Sequence, residues 1–232
     1  MNKHIPNFIT CLNLFSGCVA LYFIFQNQLV YASYLVGLAA VFDFLDGMVA
    51  RVLGAYSEIG KQLDSLADVI SFGVVPGAMM FMLLKRAEDV SFLPETIVPF
   101  AGFIITVFSA LRLAKFNIDT RQTTSFIGLP TPACAIFVAS LPLILASGEL
   151  MAFAVILNKL VLLATTLILS FLLVAELPLF ALKFKNLTWA DNSVRFIFVG
   201  LSVMLLALLN FAAIPLIIVL YIVLSIFKKQ TA

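Results

Sequence analysis

The sequence predicts an all-α protein, a polytopic bundle of transmembrane helices. Of its 232 residues, 63% are hydrophobic and 11% are charged, whereas soluble domains carry about 25% charged residues. The mean hydropathy is +1.14, and the apolar residues fall into stretches close to the ~20 residues that a helix needs to cross the hydrocarbon. The net charge of +2 is too small to indicate a nucleic-acid partner.

Eight of these stretches are predicted to be membrane spans joined by short connections. They lie near 8–26, 29–53, 62–84, 94–115, 132–147, 153–175, 193–209 and 211–227. The connections leave no room for a soluble unit, so residues 1–232 are expected to form a single integral-membrane domain. The last two spans are separated only around Asn210, and merging them gives a seven-span alternative.

The distribution of lysine and arginine predicts the orientation, because these residues accumulate in cytoplasmic loops. With a cytoplasmic amino terminus and eight spans, the expected cytoplasmic cations are Lys3, Arg51, Lys61, Arg112, Lys115, Arg121, Lys183, Lys185, Arg195, Lys228 and Lys229. The expected external cations are Lys85, Arg86 and Lys159. Seven spans would leave the last two lysines outside. We therefore expect eight spans with both termini in the cytoplasm. The short chain favours a prokaryotic cytoplasmic membrane.

Four aspartates interrupt the apolar pattern at the cytoplasmic ends of the second and third predicted helices. A carboxylate in hydrocarbon costs a few kcal/mol or more, so each one needs a partner. Asp43 and Asp46 are three residues apart, and Asp64 and Asp68 are four apart, so each pair shares a helix face. The sequence therefore predicts two facing helices whose four carboxylates form one cage.

A cage of carboxylates without cysteine or histidine favours hard divalent ions, namely Mg²⁺, Mn²⁺ or Ca²⁺. Two such ions would balance four carboxylates and could clamp a phosphoryl group. The single histidine, His4, is too remote to be a ligand. Arg51 and Lys61 add positive charge for a diphosphate, while Gly47 and Gly60 would let a ligand approach the backbone.

The spacing of these residues resembles the signature of the CDP-alcohol phosphatidyltransferases. It reads Asp43-x-x-Asp46-Gly47-x-x-Ala50-Arg51, eight residues, Gly60-x-x-x-Asp64-x-x-x-Asp68. The resemblance implies a membrane enzyme that moves a phosphatidyl group from a CDP-linked lipid to an alcohol and releases CMP.

The resemblance also implies roles for individual residues. The metal ligands would be Asp43, Asp46, Asp64 and Asp68, and Asp68 would also be the catalytic base. The nucleotide and diphosphate would be bound by Gly47, Ala50, Arg51 and Gly60, beside Lys61. Asn7 and Thr10 would lie near the cytidine.

Further stretches resemble the phosphatidylserine synthases within this family. They are IPNFITCLNLFSG near the amino terminus, SALRLAKFN at 109–117, SFIGLPTPACA at 125–135 and LPLFALKFKNLTW at 177–189. This resemblance implies CDP-diacylglycerol as donor, L-serine as acceptor and a homodimer. Serine carries a carboxylate and an ammonium group, so its site needs a cation and polar side chains. The candidates are Arg112, Lys115, Asn117, Arg121 and Thr123. Lys115 departs from the arginine that is common in such enzymes, and lysine lacks arginine's bidentate geometry.

Two alternatives remain open from the sequence. The acceptor could be glycerol phosphate or inositol phosphate, which should need a denser cationic pocket than Arg112, Lys115 and Arg121 provide. A cation transporter could also carry intramembrane acids, but its carboxylates should lie near mid-bilayer rather than towards one face.

Three residues are predicted to cap helices, on the preference of serine, threonine and asparagine for the N-cap position. Ser57 is expected to open the third helix, Asn7 the first, and Thr131, with Pro132 after it, the fifth.

Overall fold

The computed structural model describes residues 4–88, 94–118, 126–148, 150–180 and 188–227. Within these ranges the chain is an all-α bundle, as predicted, with one short antiparallel strand pair. The α-helices are α1 (His4–Phe25), α2 (Leu29–Val52), α3 (Glu58–Val69), α4 (Val75–Arg86), α5 (Ile104–Ile118), α6 (Thr131–Ala146), α7 (Leu150–Ile156), α8 (Lys159–Val174), α9 (Trp189–Leu209) and α10 (Ala213–Phe227). A π-helix (Ile70–Val74) joins α3 to α4, and 3₁₀ turns (Val98–Phe103 and Asn210–Ala212) precede α5 and α10. The strands are β1 (Phe126–Ile127) and β2 (Pro178–Leu179).

The turn between α2 and α3 brings the acid-bearing parts of these helices together. Gly54 has φ +58°, in the left-handed region that glycine adopts without a steric penalty. Ser57 then caps α3, because its Oγ accepts a hydrogen bond from the Gly60 backbone N–H at 3.0 Å. The predicted Ser57 cap is confirmed. The chain reverses within five residues, so Asp43 on α2 lies beside Asp64 and Asp68 in the second half of α3.

The π-helix lies directly after the last of the four aspartates. Its Ser71 is fully buried and donates a hydrogen bond from Oγ to the Asn13 carbonyl of α1 at 3.0 Å. A Cβ added at Gly17 of α1 would lie 2.5 Å from the same Ser71 Oγ. The close contact between α1 and the π-helix therefore depends on a glycine and sets the position of Asp68 relative to α1.

The Gly73-x-x-x-Gly77 pair forms a close helix contact within the chain. A Cβ at Gly73 would lie 3.2 Å from Ser109 Cβ, and one at Gly77 would meet Thr106 Oγ1. On the facing turn, a Cβ at Gly102 would lie 2.5 Å from the Phe81 backbone nitrogen. These glycines thus allow the backbone from the π-helix through α4 to pack closely against α5 and the 3₁₀ turn before it.

Three local predictions were wrong. Asn7 lies inside α1 rather than at its N-cap, because the helix already includes His4. Thr131 is the first residue of α6, and its fully buried Oγ1 makes no hydrogen bond to any described residue. The sixth span was predicted from 153, but α8 begins at Lys159, because the Asn158 side chain accepts from the backbone N–H groups of Leu160 and Val161.

The last two helices form an antiparallel hairpin rather than one long helix. The rings of Phe198 and Tyr221 have centroids 5.7 Å apart, although in one straight helix these residues would be separated by about 34 Å. The chain reverses around Asn210, which has φ +47°. The predicted break between the last two helices around Asn210 is therefore present.

The length and apolar character of the helices identify an integral-membrane bundle. Four described stretches are long and apolar enough to cross a membrane: His4–Phe25, Glu58–Arg86, Val98–Ile118 and Asn192–Ile226. Thr131–Ala146 and Lys159–Val174 are apolar but shorter. The number of crossings and the cytoplasmic position of both termini stay predictions.

Candidate active site

Three carboxylates from two helices converge near one end of the bundle. One oxygen each from Asp43 of α2 and from Asp64 and Asp68 of α3 lie within 4.8 Å of one another. Asp68 is only 8% exposed. Three like charges at this separation in a partly buried place repel one another, so the arrangement favours a cation between them.

The fourth aspartate, Asp46, is not part of this group of three. It is 6% exposed, and its Oδ2 accepts a hydrogen bond from Thr10 Oγ1 of α1 at 2.6 Å. Residues three apart on a helix differ by roughly 60° in direction, so Asp46 points more towards α1 than Asp43 does. The structure thus brings together three of the four predicted cage residues and places the fourth beside them.

Asn13 is a site residue that the sequence analysis missed. It is fully buried, and its Nδ2 donates to Asp68 Oδ1 at 3.3 Å. Its own Oδ1 has no hydrogen-bond partner among the described residues. Asn13 follows Thr10 by three positions, so one face of α1 contacts an acid from α2 and an acid from α3. The polar spacing of Thr10 and Asn13 in an apolar helix was the available signal.

A cavity of about 210 Å³ opens next to the acids. It is lined by Pro6, Asn7, Thr10, Asp46, Gly47, Ala50, Ala55, Tyr56, Ser57, Gly60, Lys61 and Asp64. The lining includes six of the seven residues predicted to bind the nucleotide: Asn7, Thr10, Gly47, Ala50, Gly60 and Lys61. The exposed ring of Tyr56 was not predicted there. Two of the four aspartates, Asp46 and Asp64, thus line the cavity.

The sequence model of the CDP-alcohol phosphatidyltransferase family matches residues 3–172. The chain belongs to this family. The match includes α1 to α5 and all four aspartates, so the converging carboxylates and the adjoining cavity are features of the family region.

Curated relatives come from bacteria and an archaeon. The CDP-diacylglycerol–serine O-phosphatidyltransferase of Helicobacter pylori is 37% identical over 135 residues, which is 57% of this chain and 54% of that protein. The enzyme of the same name from Bacillus subtilis is 31% identical over 155 residues, 63% of this chain and 82% of that protein. The archaetidylserine synthase of Methanothermobacter thermautotrophicus is 36% identical over 138 residues, which is 59% of this chain and 56% of that protein. The chain spans about half the length of the first and third of these relatives.

Arg51 is the predicted nucleotide-binding residue that does not line the cavity. Arg51 is exposed, and its Nε donates to the Gly47 carbonyl one turn earlier on α2 at 2.9 Å. The side chain therefore runs back along its own helix. Lys61 also has a partner, because its Nζ donates to the Asn117 carbonyl at the end of α5 at 3.1 Å.

The residues predicted to bind serine differ in burial and in hydrogen-bond partners. Arg112 is 7% exposed, is close enough to Asp68 for their charges to interact, and has no partner for its Nε among the described residues. Lys115 is exposed. The Asn117 side chain donates to Ser65 Oγ at 2.8 Å and so ties α5 to α3. The other two candidates, Arg121 and Thr123, lie outside the described residues.

Proposed function

We propose that this chain transfers the phosphatidyl group of CDP-diacylglycerol to the hydroxyl of L-serine, forming phosphatidylserine and CMP. The observation that carries the proposal is the convergence of Asp43, Asp64 and Asp68 beside the cavity that the signature residues line. The relatives support the acceptor, because their names share serine and differ in the lipid.

The acids fit divalent metal ions. They offer only carboxylate oxygens, which hard ions such as Mg²⁺ and Mn²⁺ prefer, and these oxygens already lie within 4.8 Å of one another. We assign Asp43, Asp64 and Asp68, with Asp46 beside them, as the ligands of two such ions. When bound, the ions would offset the charge of the diphosphate and make its phosphorus more electrophilic.

The residues of the chain then divide the remaining tasks. Asp68, oriented by the Asn13 amide, accepts the proton of the serine hydroxyl. The hydroxyl oxygen forms a bond to the phosphorus that carries diacylglycerol, and the phosphoanhydride bond breaks. The bonding electrons leave with the CMP phosphate, near Lys61 at the cavity wall. Thr10 holds Asp46 in its orientation.

Arg112 is the residue we assign to the serine carboxylate. A buried polar atom without a partner costs about 1–3 kcal/mol, and Arg112 Nε has no partner within the described part of the chain, so we infer that a ligand supplies the acceptor there. Arg112 is close enough to Asp68 for their charges to interact, so a serine carboxylate bound there would lie near the proposed base. Lys115, Asn117, Arg121 and Thr123 complete the proposed acceptor set at the end of α5 and the segment after it.

The cavity lined by Asn7, Thr10, Gly47, Ala50 and Gly60 is the proposed site for the cytidine and diphosphate. The acyl chains would remain in the bilayer, since the bundle exposes apolar side chains around its circumference. Arg51 would swing from the Gly47 carbonyl to reach the diphosphate. We further propose that residues 1–232 act as one integral-membrane domain, as a homodimer, in a prokaryotic cytoplasmic membrane with the acids facing the cytoplasm.

The proposal predicts which alcohol accepts the phosphatidyl group. Purified protein is incubated with CDP-diacylglycerol, Mg²⁺ or Mn²⁺, and serine, glycerol phosphate or inositol phosphate, and CMP is measured. We expect CMP with serine at least ten times faster than with either phosphorylated alcohol. Arg112→Gln should raise KM for serine by roughly tenfold or more, because a hydrogen bond to a charged group contributes about 1.5–3 kcal/mol.

The matched control is Lys85→Gln, which removes an exposed cation outside the proposed acceptor set and should leave KM for serine unchanged. Faster CMP release with a phosphorylated alcohol would replace the proposed acceptor while leaving the family chemistry intact. An unchanged KM in Arg112→Gln would remove Arg112 from the acceptor site.

Gly60→Ala is predicted to impair binding of the CDP-lipid. A Cβ at Gly60 would lie 2.9 Å from Asn7 Oδ1 and 2.9 Å from Ser57 Oγ, so the added methyl displaces a cavity-lining amide. The loss of about one hydrogen bond corresponds to a roughly tenfold rise in KM for CDP-diacylglycerol. Gly37→Ala on α2 is the control, since a Cβ there meets nothing within 4 Å. Equal KM values for the two variants would exclude Gly60 from the nucleotide site.

A further inference from the structure

A second cavity of about 440 Å³ lies at the other end of the bundle. Its walls come from the α1–α2 connection with the start of α2 and from the ends of α4, α6 and α7, and include Leu29, Val30, Leu145, Phe153 and Leu157. Leu29 precedes Asp43 by 14 residues on α2, a rise of about 21 Å. The cavity is therefore separate from the candidate active site, and nothing in the transfer chemistry uses it.

Arg86 is the single charged side chain among the described residues that line this cavity. Its Nη2 donates to the Asn27 carbonyl at 2.9 Å and also to Asn27 Oδ1. Asn27 has φ +63°, a left-handed conformation that asparagine tolerates better than most residues. The turn thus presents two oxygens of one residue to the same guanidinium nitrogen. Arg86 is held at the cavity, and among the described residues its other N–H groups have no hydrogen-bond partner.

The position of the cavity indicates where its ligand comes from. Arg86 ends α4, at the end of the apolar stretch Glu58–Arg86, where hydrocarbon gives way to lipid headgroups. A favourable interaction with the carboxyl end of the helix could account for an arginine there. It would not account for an apolar cavity formed by three other segments around the same side chain.

We propose that this cavity binds a membrane phospholipid, with an acyl chain against the apolar wall and the phosphate at Arg86. Arginine matches this role because its planar N–H donors pair with two oxygens of a phosphate. The cavity supplies one cation to the one anionic group of the phosphodiester, and its apolar side chains suit the acyl chain. Bound there, the lipid joins the α1–α2 turn to α4, α6 and α7 and stabilises the folded bundle.

The test measures thermal unfolding of the full chain, purified in detergent and stripped of lipid. The added probes are phosphatidylglycerol, diacylglycerol with the same acyl chains, and water-soluble glycerol phosphate. At a hundredfold excess over Kd, phosphatidylglycerol should raise Tm by about 5–10 °C. Diacylglycerol, which lacks the phosphate, and glycerol phosphate, which lacks the chains, should each give a much smaller shift.

Matched variants connect the shift to the cavity. Arg86→Gln should reduce the phosphatidylglycerol shift to the diacylglycerol value, whereas Lys85→Gln, an exposed neighbour outside the lining, should keep the full shift. Ala146→Phe fills the cavity without changing Arg86 and should also lose the shift. It tests the proposal even where Arg86→Gln fails to fold.

Three results would overturn the proposal. They are a full shift in both Arg86→Gln and Ala146→Phe, an equal shift with diacylglycerol and phosphatidylglycerol, and a full shift with glycerol phosphate alone. The last would indicate a site for free phosphate esters. None of these measurements uses CMP release, so their outcome is independent of the transfer reaction.

Discussion

Asp68→Asn is expected to abolish turnover while the protein still binds Mn²⁺ and CDP-diacylglycerol. Asparagine keeps the size of the side chain and one oxygen, but it cannot accept the proton of the attacking hydroxyl. Loss of a general base lowers the rate by about 10²–10⁴-fold. The measurement is kcat for CMP release, together with equilibrium binding of Mn²⁺ and of the CDP-lipid to the same preparation.

The control for Asp68→Asn is Glu58→Gln, which neutralises an exposed acid at the start of the same helix. It should have near-normal kcat. If Asp68→Asn also had near-normal kcat, Asp68 would not be the base. Asn13→Ala gives a further comparison, because it removes the hydrogen bond to Asp68 Oδ1 but leaves the carboxylate. We expect an intermediate loss of kcat with little change in KM for CDP-diacylglycerol.

Asp64→Ala is expected to weaken metal binding and activity together. Asp64 is the acid that belongs both to the group of three carboxylates and to the lining of the adjoining cavity. Its removal leaves Asp43 and Asp68 as the remaining pair of that group. Metal ions contribute several kcal/mol to such transfers, and each 1.36 kcal/mol is a factor of ten in rate, so kcat should fall by about a thousandfold.

The corresponding measurement is a Mn²⁺ titration followed by electron paramagnetic resonance, with CMP release assayed on the same samples. Raising the Mn²⁺ concentration should restore part of the activity, because the ligand set is weakened rather than absent. Glu58→Ala should bind Mn²⁺ like the unmodified chain. An Asp64→Ala titration curve identical to the control's would show that Asp64 is not a ligand.

Most helices were predictable from the sequence, because the length of an apolar stretch and the N-cap at Ser57 are local features that can be read from neighbouring residues. The break between α7 and α8 was missed, although Asn158 and Lys159 interrupt the apolar stretch, because the capping role of Asn158 depends on two backbone N–H groups. The π-helix at Ile70–Val74 was also missed, as an i→i+5 turn leaves no mark in hydrophobic periodicity. It arises where Ser71 and Gly17 bring two helices together.

The acidic site was predictable as a pair of helix faces, but its internal geometry was not. Spacing alone treats Asp43 and Asp46 as equivalent, whereas the hydrogen bond from Thr10 draws Asp46 towards α1. The contact of Asn13 with Asp68 joins residues 55 positions apart, so it depends on how α1 packs. Arg51 has the expected position on α2, but its side chain donates a hydrogen bond to a carbonyl of its own helix. The sequence alone does not predict this side-chain conformation.

The account depends most on the binding of two divalent ions by the aspartates of α2 and α3. The direct test is the number of Mn²⁺ ions bound per chain and their magnetic coupling, measured by electron paramagnetic resonance on the unmodified protein. The account predicts two ions per chain with a spin-coupled spectrum, as expected for metals about 3.5–4 Å apart. A protein that forms CMP while it binds no Mn²⁺ or Mg²⁺ at these aspartates would contradict it.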